Sequence, residues 1–414
     1  MHPKELSIEN FSYILPEEKI AAYPLEKRDE SKLLIFENEK INEDVYKNIA
    51  HHLPKKSLLV FNDTKVLNAR ILFQKPSGGI IEIFCLEPYE EVKDYGIILQ
   101  KKEKLKWKCM IGGAGKWKQG PLEKFIHIDG DQIQLKASLV EKLSDSYVVE
   151  LTWNPGQYPF AEIMEKAGET PLPPYIRRKA EDIDTKRYQT IYSKYEGSVA
   201  APTAGLHFTK QIFDSLKEKN ISTSFTTLHV GAGTFKPVKS AKIEDHEMHA
   251  EWMEISTEFI ELLLKNIKNE IICVGTTSVR TIESLYWMGV KTMINPDQTT
   301  DDLPVKQWEV YENNFAENAI EPDSSLRSLL QFLQKKKIEK LLIQTQIIIA
   351  PGYQFKLTKG LITNFHQPKS TLLLLVAALA GEEWKRIYQY ALENKFRFLS
   401  YGDGCLILST GKAK

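Results

Sequence analysis

The densest group of potentially reactive side chains in this sequence lies between residues 246 and 251. His246, Glu247, His249 and Glu251 occupy four of these six positions. A zinc site of the HExxH type needs the second His four residues after the first, whereas here it follows after three, and the stretch offers no cysteine ligand. Metal binding is therefore the less favoured alternative. Because imidazole and carboxyl groups exchange protons readily near neutral pH, we predict acid–base or substrate-orienting roles for this group.

A second stretch, residues 197–209 (GSVAAPTAGLHFT), is almost free of charge in a chain with 27% charged residues. Pro202 and the glycines Gly197 and Gly205 exclude a long regular helix across it. Small residues also allow the backbone to lie close to another group. His207 ends the stretch just before a helix is predicted to begin. We predict a binding loop that leads into a helix N-terminus, with a tight packing corner as the alternative.

Two further loops place polar groups where strands are predicted to end. His229 closes the strand ISTSFTTLHV, at the end of a strand where functional groups are often found in α/β sheets, and a turn with Gly231 and Gly233 follows. In EIICVGTTSVRTIESL, a buried strand is followed by hydroxyls at a helix N-terminus, which favours the binding of an anion or carboxylate. Arg280, one turn into that helix, could bind a carboxylate through two hydrogen bonds. The alternative is an ordinary N-cap with a surface arginine.

Three more groups of polar residues stand out. Asn364, His366, Lys369 and Ser370 form a loop before a nearly all-apolar helix, which must be buried, so the loop's polar groups need partners. Near the C-terminus, a break in the last strand carries Tyr401 and Asp403. A basic and aromatic cluster contains Tyr175, Arg177, Arg178 and Arg187, a composition that suits phosphate contact and base stacking. A solvated surface is the alternative for this cluster.

The composition limits the classes of protein to which this chain can belong. The chain has 414 residues, of which 42% are hydrophobic, so we expect two or three domains with substantial cores. Lys plus Arg equals Asp plus Glu at 55 each, so a nucleic-acid partner would have to bind a local basic patch. We find no signal peptide and no apolar run that would span a membrane. Four scattered cysteines argue against disulfides or a zinc ribbon, and we predict a soluble cytoplasmic protein.

The strand and helix patterns predict a mixed α/β (α+β) main domain interrupted by a small antiparallel β-barrel domain. The main domain covers residues 1–69 and 154–414, with a helix capped by Asn42 and a polar insertion over 288–338. Residues 70–153 contain six strand-length segments: GIIEIFCLE, DYGIILQ, WKCMIGG, KFIHIDG, DQIQLKASLV and SYVVELTW. Short strands at such regular spacing are typical of a small barrel or sandwich.

Eight collinear stretches match the pattern of one known family: VFNDTKVLNARI, PLPPYI, GSVAAPTAGLHFT, LHVGAGTFKPV, EDHEMHAEW, VGTTSVRTIES, LITNFHQPKSTLL and FLSYGDGCLIL. In these stretches the chain resembles, from Ser31 to Leu408, the S-adenosylmethionine:tRNA ribosyltransferase-isomerase family of queuosine biosynthesis. Two departures from the family pattern are Lys32, where an arginine is usual, and Lys359, near which an acidic residue is usual. A third is the length of 288–338.

The resemblance implies that S-adenosylmethionine serves as a ribosyl donor and co-substrate, with no separate cofactor. The acceptor would be 7-aminomethyl-7-deazaguanine at the wobble position of tRNAs with a GUN anticodon, and the products would be epoxyqueuosine-tRNA, adenine and methionine. A base must remove a proton from the carbon beside the sulfonium, and an acid must protonate the departing adenine.

Site residues follow from the resemblance as hypotheses, without a metal. The expected acid–base residues are His207, His229, His249, Glu251 and His366. The expected substrate-binding residues are Thr203, Gly205, Gly231, Gly233, Thr276, Thr277, Ser278, Arg280, Asn364, Tyr401 and Asp403, with Arg280 on the methionine carboxylate and Asp403 on the sulfonium or ribose. The expected tRNA-binding residues are Arg177, Arg178 and Arg187. Two other functions stay open: an S-adenosylmethionine-dependent tRNA methyltransferase, and a non-catalytic tRNA-binding paralogue.

Overall fold

The computed structural model describes residues 2–92, 94–118, 120–231, 233, 242–312 and 320–408. These residues form a large mixed sheet, a second large antiparallel sheet, a two-stranded ribbon and the helices that pack on them. The predicted mixed α/β fold is therefore confirmed.

The strands of the described residues are numbered in chain order. They are β1 (Lys32–Glu37), β2 (Lys40–Val45), β3 (Leu58–Asn62), β4 (Thr64–Val66), β5 (Arg70–Gln74), β6 (Ile80–Pro88), β7 (Lys104–Gly112), β8 (Leu122–Ile128), β9 (Asp131–Lys142), β10 (Tyr147–Asn154), β11 (Gly168–Glu169), β12 (Tyr195–Ser198), β13 (Ser222–Leu228), β14 (Glu251–Ser256), β15 (Ile271–Val274), β16 (Lys340–Thr345), β17 (Gly360–Asn364) and β18 (Gly404–Leu408).

The α-helices of the same residues are numbered likewise, and none of them is long and apolar enough to cross a membrane. They are α1 (Tyr95–Leu99), α2 (Phe160–Ala167), α3 (Asp182–Arg187), α4 (Lys210–Glu218), α5 (Thr257–Lys265), α6 (Thr276–Ile294), α7 (Pro322–Lys335), α8 (Thr371–Ala380) and α9 (Glu383–Glu393).

The mixed sheet has nine strands in the order β16-β14-β13-β3-β15-β17-β18-β1-β2. Its central strands are apolar at nearly every position because both faces are covered. Leu58 and Val60 of β3 face a core built with α5, α6 and α8, whereas Leu59 and Phe61 face a second core that includes α4. The carboxyl ends of β3, β13 and β15, which run parallel, therefore lie at one edge.

The second sheet is antiparallel throughout and has seven strands in the order β11-β5-β6-β7-β10-β9-β8. Along β7, Leu105 and Trp107 are buried in its core, and the lysines between them face outward. Five of the six strands predicted between residues 70 and 153 are confirmed as β6 to β10.

The sixth predicted strand, DYGIILQ, is wrong, because this segment is the short helix α1. The side chain of Asp94 accepts a hydrogen bond from the backbone N–H of Ile97 at 3.2 Å and so caps the helix. Tyr95, Ile98 and Leu99 then share the buried side of its single turn. A short apolar run is compatible with a strand or a helix, and the cap decides here.

The helix predicted after Asn42 is also wrong. Residues 40–45 form β2, which pairs with β1 across a tight turn in which Asn38 and Glu39 have φ angles of 49° and 61°. The apolar spacing that suggested a helix belongs to the 3-10 helix Tyr46–His51, in which Tyr46, Ile49 and Ala50 are buried.

Residues 288–338, predicted as a polar insertion, begin inside the buried helix α6 and include α7, which packs along it. The two helices approach so closely at Gly289 that a Cβ there would lie 2.2 Å from the carbonyl oxygen of Ser325. Glycine is therefore required by packing in the middle of this helix.

We expect Gly289→Ala to destabilise the protein by about 1–3 kcal/mol, because the added methyl group must push α7 away from α6. Thermal unfolding followed by circular dichroism measures the change. Gly115→Ala is the matched control, since no atom lies within 4 Å of a Cβ built there. A Gly289→Ala protein that is as stable as the wild type would contradict the close packing of these helices.

Candidate active site

A cleft runs along the nine-stranded sheet as far as the place where the seven-stranded sheet adjoins it. It consists of three chambers of about 670, 620 and 620 Å³, their open mouths included. The helix chamber lies at the N-terminus of α6, the sheet chamber lies between the two sheets, and the apolar chamber lies beside α8. Val230 lines the first two, Leu372 lines the first and third, and both His249 and Glu251 line the second and third.

The helix chamber receives the N-terminus of α6. Gly275, with a φ of 89°, turns the chain from β15 into the helix, so that Thr276 and Thr277 line the chamber. The first N–H groups of a helix have no partner within it and carry partial positive charge. The hydroxyl of Thr277 is buried and has no hydrogen-bond partner among the described residues. This corner of the chamber is suited to an anionic group.

A chain of hydrogen bonds leads from the helix chamber to His207. The hydroxyl of Thr203 donates to Oδ1 of Asn364 at 2.8 Å, and Nδ2 of Asn364 lies 3.3 Å from Nε2 of His207. The His207 ring is stacked on Tyr46 at a centroid distance of 4.2 Å. Burial lowers the pKa of His207 to about 3, so the imidazole is neutral at physiological pH. Thr203 and Asn364 line the chamber, whereas His207 lies behind them and orients Asn364.

His366 lines the helix chamber directly. Its Nε2 lies 2.7 Å from the hydroxyl of Thr363, and its backbone N–H donates to the hydroxyl of Tyr388 at 3.0 Å. Burial also lowers the pKa of His366 to about 3. It therefore meets a ligand as a neutral imidazole.

The sheet chamber is lined by His229, whose two ring nitrogens both have partners within the protein. Nε2 lies 3.1 Å from a carboxylate oxygen of Glu254, and Nδ1 lies 3.3 Å from the hydroxyl of Thr64. Burial alone would raise the pKa of Glu254, but the interactions with His229 and Lys340 outweigh it and lower the pKa to about 2. An ionised Glu254 fixes the orientation of His229, whose ring also packs on Tyr95 at 4.5 Å.

Two glycines are needed where the backbone meets these histidines. A Cβ on Gly197, which has a φ of 149°, would lie 2.5 Å from Nδ1 of His229. A Cβ on Gly233 would lie 2.3 Å from Cδ2 of His249. Both predicted loops therefore use glycine for close approach.

The junction of the sheet chamber and the apolar chamber is formed by Glu251 and His249. Glu251 forms a buried ion pair with Arg280 and accepts a hydrogen bond at 3.1 Å from the backbone N–H of Gly231. Nε of Arg280 donates to the carbonyl oxygen of Ile347 at 3.1 Å, and its Nη2 is buried without a partner among the described residues. His249 is exposed to the cleft and has no hydrogen-bond partner in the described part of the chain. It is therefore free to exchange protons with a ligand.

The remaining residues of the 246–251 group are separated from one another. His246 lines the apolar chamber beside Met248, whereas Glu251 is engaged by Arg280. Across the described residues, no three His, Cys, Asp or Glu side chains converge on a point that could hold a metal ion.

Several predicted substrate-binding residues lie outside the three chambers. Ser278 donates to the carbonyl oxygen of Val274 at 2.9 Å, and Gly205 packs against Tyr192. Tyr401 donates to Asp184 at 2.7 Å. Asp403 accepts hydrogen bonds from the backbone N–H groups of Lys32 and Arg397 and from the Arg397 guanidinium.

The predicted tRNA-binding arginines also have partners within the protein. Arg178 forms a bidentate ion pair with Asp184, which is fully buried, at 2.6 and 2.8 Å. Arg187 donates to the carbonyl oxygens of Leu25 and Glu26, and the exposed Arg177 pairs with Glu17 at 2.7 Å. These contacts fasten the N-terminal segment to the region around α3.

Sequence reasoning missed several residues of the cleft. Glu254, which lies behind His229, had a usable signal, because a carboxylate between the apolar residues Met253 and Ile255 of a strand needs a partner when it is buried. Tyr95, Lys108 and Asp145 line the sheet chamber from the seven-stranded sheet and its helix. Their contribution depends on how the two sheets meet, for which the sequence has no local signal.

The two buried histidines make stability depend on pH. In the unfolded chain they bind protons as the pH falls below about 6.5, whereas in the folded protein they stay neutral until about pH 3. The unfolded state thus gains protons first, so the free energy of unfolding falls with falling pH. Between pH 6.5 and about 5, we expect each histidine to contribute a loss of roughly 1–2 kcal/mol.

Thermal unfolding across this pH range tests the expectation with two variants. His366→Gln should weaken the pH dependence, and His127→Gln, at an exposed position, should leave it as in the wild type. The same pH dependence in all three proteins would contradict the neutral, buried state of His366.

Known proteins are similar in sequence to this chain over almost its whole length. A family model described as a queuosine biosynthesis protein matches residues 8–407. A protein of Halothermothrix orenii named S-adenosylmethionine:tRNA ribosyltransferase-isomerase is 37% identical over 411 residues, which cover 97% of this chain and 100% of that protein. A protein of Legionella pneumophila with the same name is 34% identical over 406 residues, with 97% and 99% covered.

A solved structure is also similar. The crystal structure of S-adenosylmethionine tRNA ribosyltransferase from Thermotoga maritima is 27% identical, with 96% of this chain and 99% of that chain covered and a TM-score of 0.44. With the family model matched from residue 8 to residue 407, the chain belongs to the queuosine biosynthesis protein family.

Proposed function

We propose that this protein is an S-adenosylmethionine:tRNA ribosyltransferase-isomerase. It transfers and isomerises the ribosyl moiety of S-adenosylmethionine onto 7-aminomethyl-7-deazaguanine at the wobble position of GUN-anticodon tRNAs, and it releases adenine and methionine. The observation that carries the proposal is a set of three neighbouring chambers. His249 and Glu251 line both the sheet chamber and the apolar chamber, and the helix chamber adjoins these two at Val230 and Leu372. A reaction that joins a ribosyl group to one base and releases two different groups needs three such neighbouring spaces.

The methionine part binds in the helix chamber. Its carboxylate accepts hydrogen bonds from the first N–H groups of α6 and from the unpartnered hydroxyl of Thr277. This assignment replaces Arg280 as the carboxylate ligand, because Arg280 already holds the carboxylate of Glu251. Thr203 and Asn364 remain available for polar contacts with the donor.

The adenine part binds in the apolar chamber. The side chains of Ile348, Leu372 and Leu375 provide apolar walls for a planar base. The unpartnered Nη2 of Arg280 supplies a buried donor for a ring nitrogen. The acceptor base enters the sheet chamber, where the ring of Tyr95 and the charged side chains of Glu87 and Lys108 line the wall.

His249 and Glu251 act at the junction as the acid–base pair. One of them removes a proton from the carbon beside the sulfonium, whose positive charge makes that proton more acidic, and the pair then supplies a proton to the departing adenine. His229 acts as a positioning residue, since both its nitrogens have protein partners. His207 and His366 act as neutral hydrogen-bonding groups.

No cofactor besides the co-substrate is needed for this chemistry, because the sulfonium itself activates the donor. We further propose that residues 70–153 form an inserted β-barrel domain that presents one wall of the sheet chamber. A tRNA substrate is expected in the cytoplasm.

A non-catalytic tRNA-binding paralogue is less well supported. This alternative rests on the lysines at positions 32 and 359, which depart from the family pattern. Lys32 packs over Phe396 at 4.8 Å and donates to the carbonyl oxygen of Asn394 at 2.9 Å, and Lys359 is exposed. Neither residue lines the cleft, so these departures leave the proposed chemistry intact.

The function is tested by incubating the protein with labelled S-adenosylmethionine and tRNA that carries the aminomethyl-deazaguanine. Chromatography should show free adenine and methionine only when that tRNA is present. We expect His249→Gln to lower the rate about 100-fold or more, since it removes a proton-transfer group, and His127→Gln to leave the rate unchanged.

Other outcomes would contradict the proposal in different ways. S-adenosylhomocysteine as the product would identify a methyltransferase. Binding of tRNA without any product would identify a non-catalytic paralogue. A His249→Gln rate within about threefold of the wild type, roughly 0.7 kcal/mol of activation free energy, would exclude His249 from the chemistry.

A further inference from the structure

Strand β7 carries a row of lysines on one face. Its residues alternate, with Leu105, Trp107 and Cys109 buried in the core of the seven-stranded sheet. Lys104 and Lys106 are exposed on the opposite face, and Lys108 on the same face is half-buried. Because side chains two residues apart in a strand point the same way, these three lysines form one row.

The row lies in a strongly basic segment of a chain whose formal net charge is zero. Residues 101–118 contain seven lysines and one glutamate, Glu103, which gives a net charge of 7 − 1 = +6. Among the described residues, neither Lys104 nor Lys106 has a carboxylate within ion-pair distance. Glu90 is engaged with Lys101 at 2.8 Å and with the backbone N–H of Lys106. Lys108 pairs with Glu87 at 3.1 Å, so the uncompensated positive charge of the row is that of Lys104 and Lys106.

The row leads into the sheet chamber. Lys108 and Met110, the next two residues on this face, line that chamber together with His229 and Glu251. With a rise of about 3.3 Å per residue, Lys104 lies roughly 13 Å from Lys108 along the strand. A polyanion that extends outward from the chamber along β7 would therefore contact two further lysines, Lys106 and Lys104.

We propose that the lysine row of β7, Lys104 to Lys108, is the docking surface for the phosphate backbone of the substrate RNA. The inference rests on the proposed function, in which one base of the tRNA must leave its stack and enter the sheet chamber. The phosphates that flank this base then lie along Lys104 and Lys106. The docking surface is a different one from the arginine cluster near α3, where Arg178 and Arg187 are engaged within the protein.

Fluorescence anisotropy with labelled tRNA at increasing KCl concentration tests the proposal. Each phosphate contact contributes about 0.7–0.9 to the slope of log affinity against log salt. We expect the double variant Lys104→Gln/Lys106→Gln to bind more weakly at low salt and to lose about 1.4–1.8 from this slope. The double variant Lys336→Gln/Lys337→Gln removes the same charge from the exposed end of α7 and should match the wild type.

The Lys104→Gln/Lys106→Gln variant should need more tRNA than the wild type to reach half its maximal rate of adenine release, because the lost contacts bind the RNA outside the chambers. A wild-type slope in this variant, or an equal loss in the control, would overturn the docking surface. Failure of the wild type to release adenine would overturn the proposed reaction instead, and the binding measurement, which needs no turnover, would still decide where the RNA docks.

Discussion

The buried ion pair between Glu251 and Arg280 is the interaction on which the cleft depends. It joins the first residue of β14 to the second turn of α6, and its two members are further tied to Gly231 and to the carbonyl oxygen of Ile347. Charges removed from water are tolerated only when they are paired, so neither residue can be lost without leaving the other uncompensated. The pair thereby fixes four separate segments around the point where the sheet chamber and the apolar chamber meet.

The histidines of the cleft differ in function because their surroundings differ. His229 is held from both sides by Glu254 and Thr64, and His207 is stacked on Tyr46 behind Asn364. His249 alone of these three reaches the junction without a hydrogen-bond partner among the described residues. Burial makes His207 and His229 fixed hydrogen-bonding groups, whereas access to the cleft makes His249 available for proton transfer.

Local patterns in the sequence predicted much of the fold. The regular spacing of short segments over residues 70–153 identified β6 to β10, and the apolar sequence of α8 identified a buried helix. The patterns failed where a cap or a turn decides between two possible structures, as Asp94 does for α1 and the Asn38–Glu39 turn does for β2. The polar residues of the cleft were harder to assign. Thr277 and Asp403 look alike as polar residues at loop ends, but Asp403 is satisfied by Lys32 and Arg397, which are close only in the folded chain.

In the proposed reaction the two leaving groups and the acceptor base occupy three neighbouring chambers, two of which meet at His249 and Glu251. A crystal structure of the protein with S-adenosylhomocysteine, a stable analogue of the donor, tests it most directly. We expect a carboxylate at the N-terminus of α6 within hydrogen-bonding distance of Thr277, adenine against Leu375 in the apolar chamber, and an empty sheet chamber. Adenine in the sheet chamber, or a ligand bound outside the cleft beside Tyr401, would contradict it.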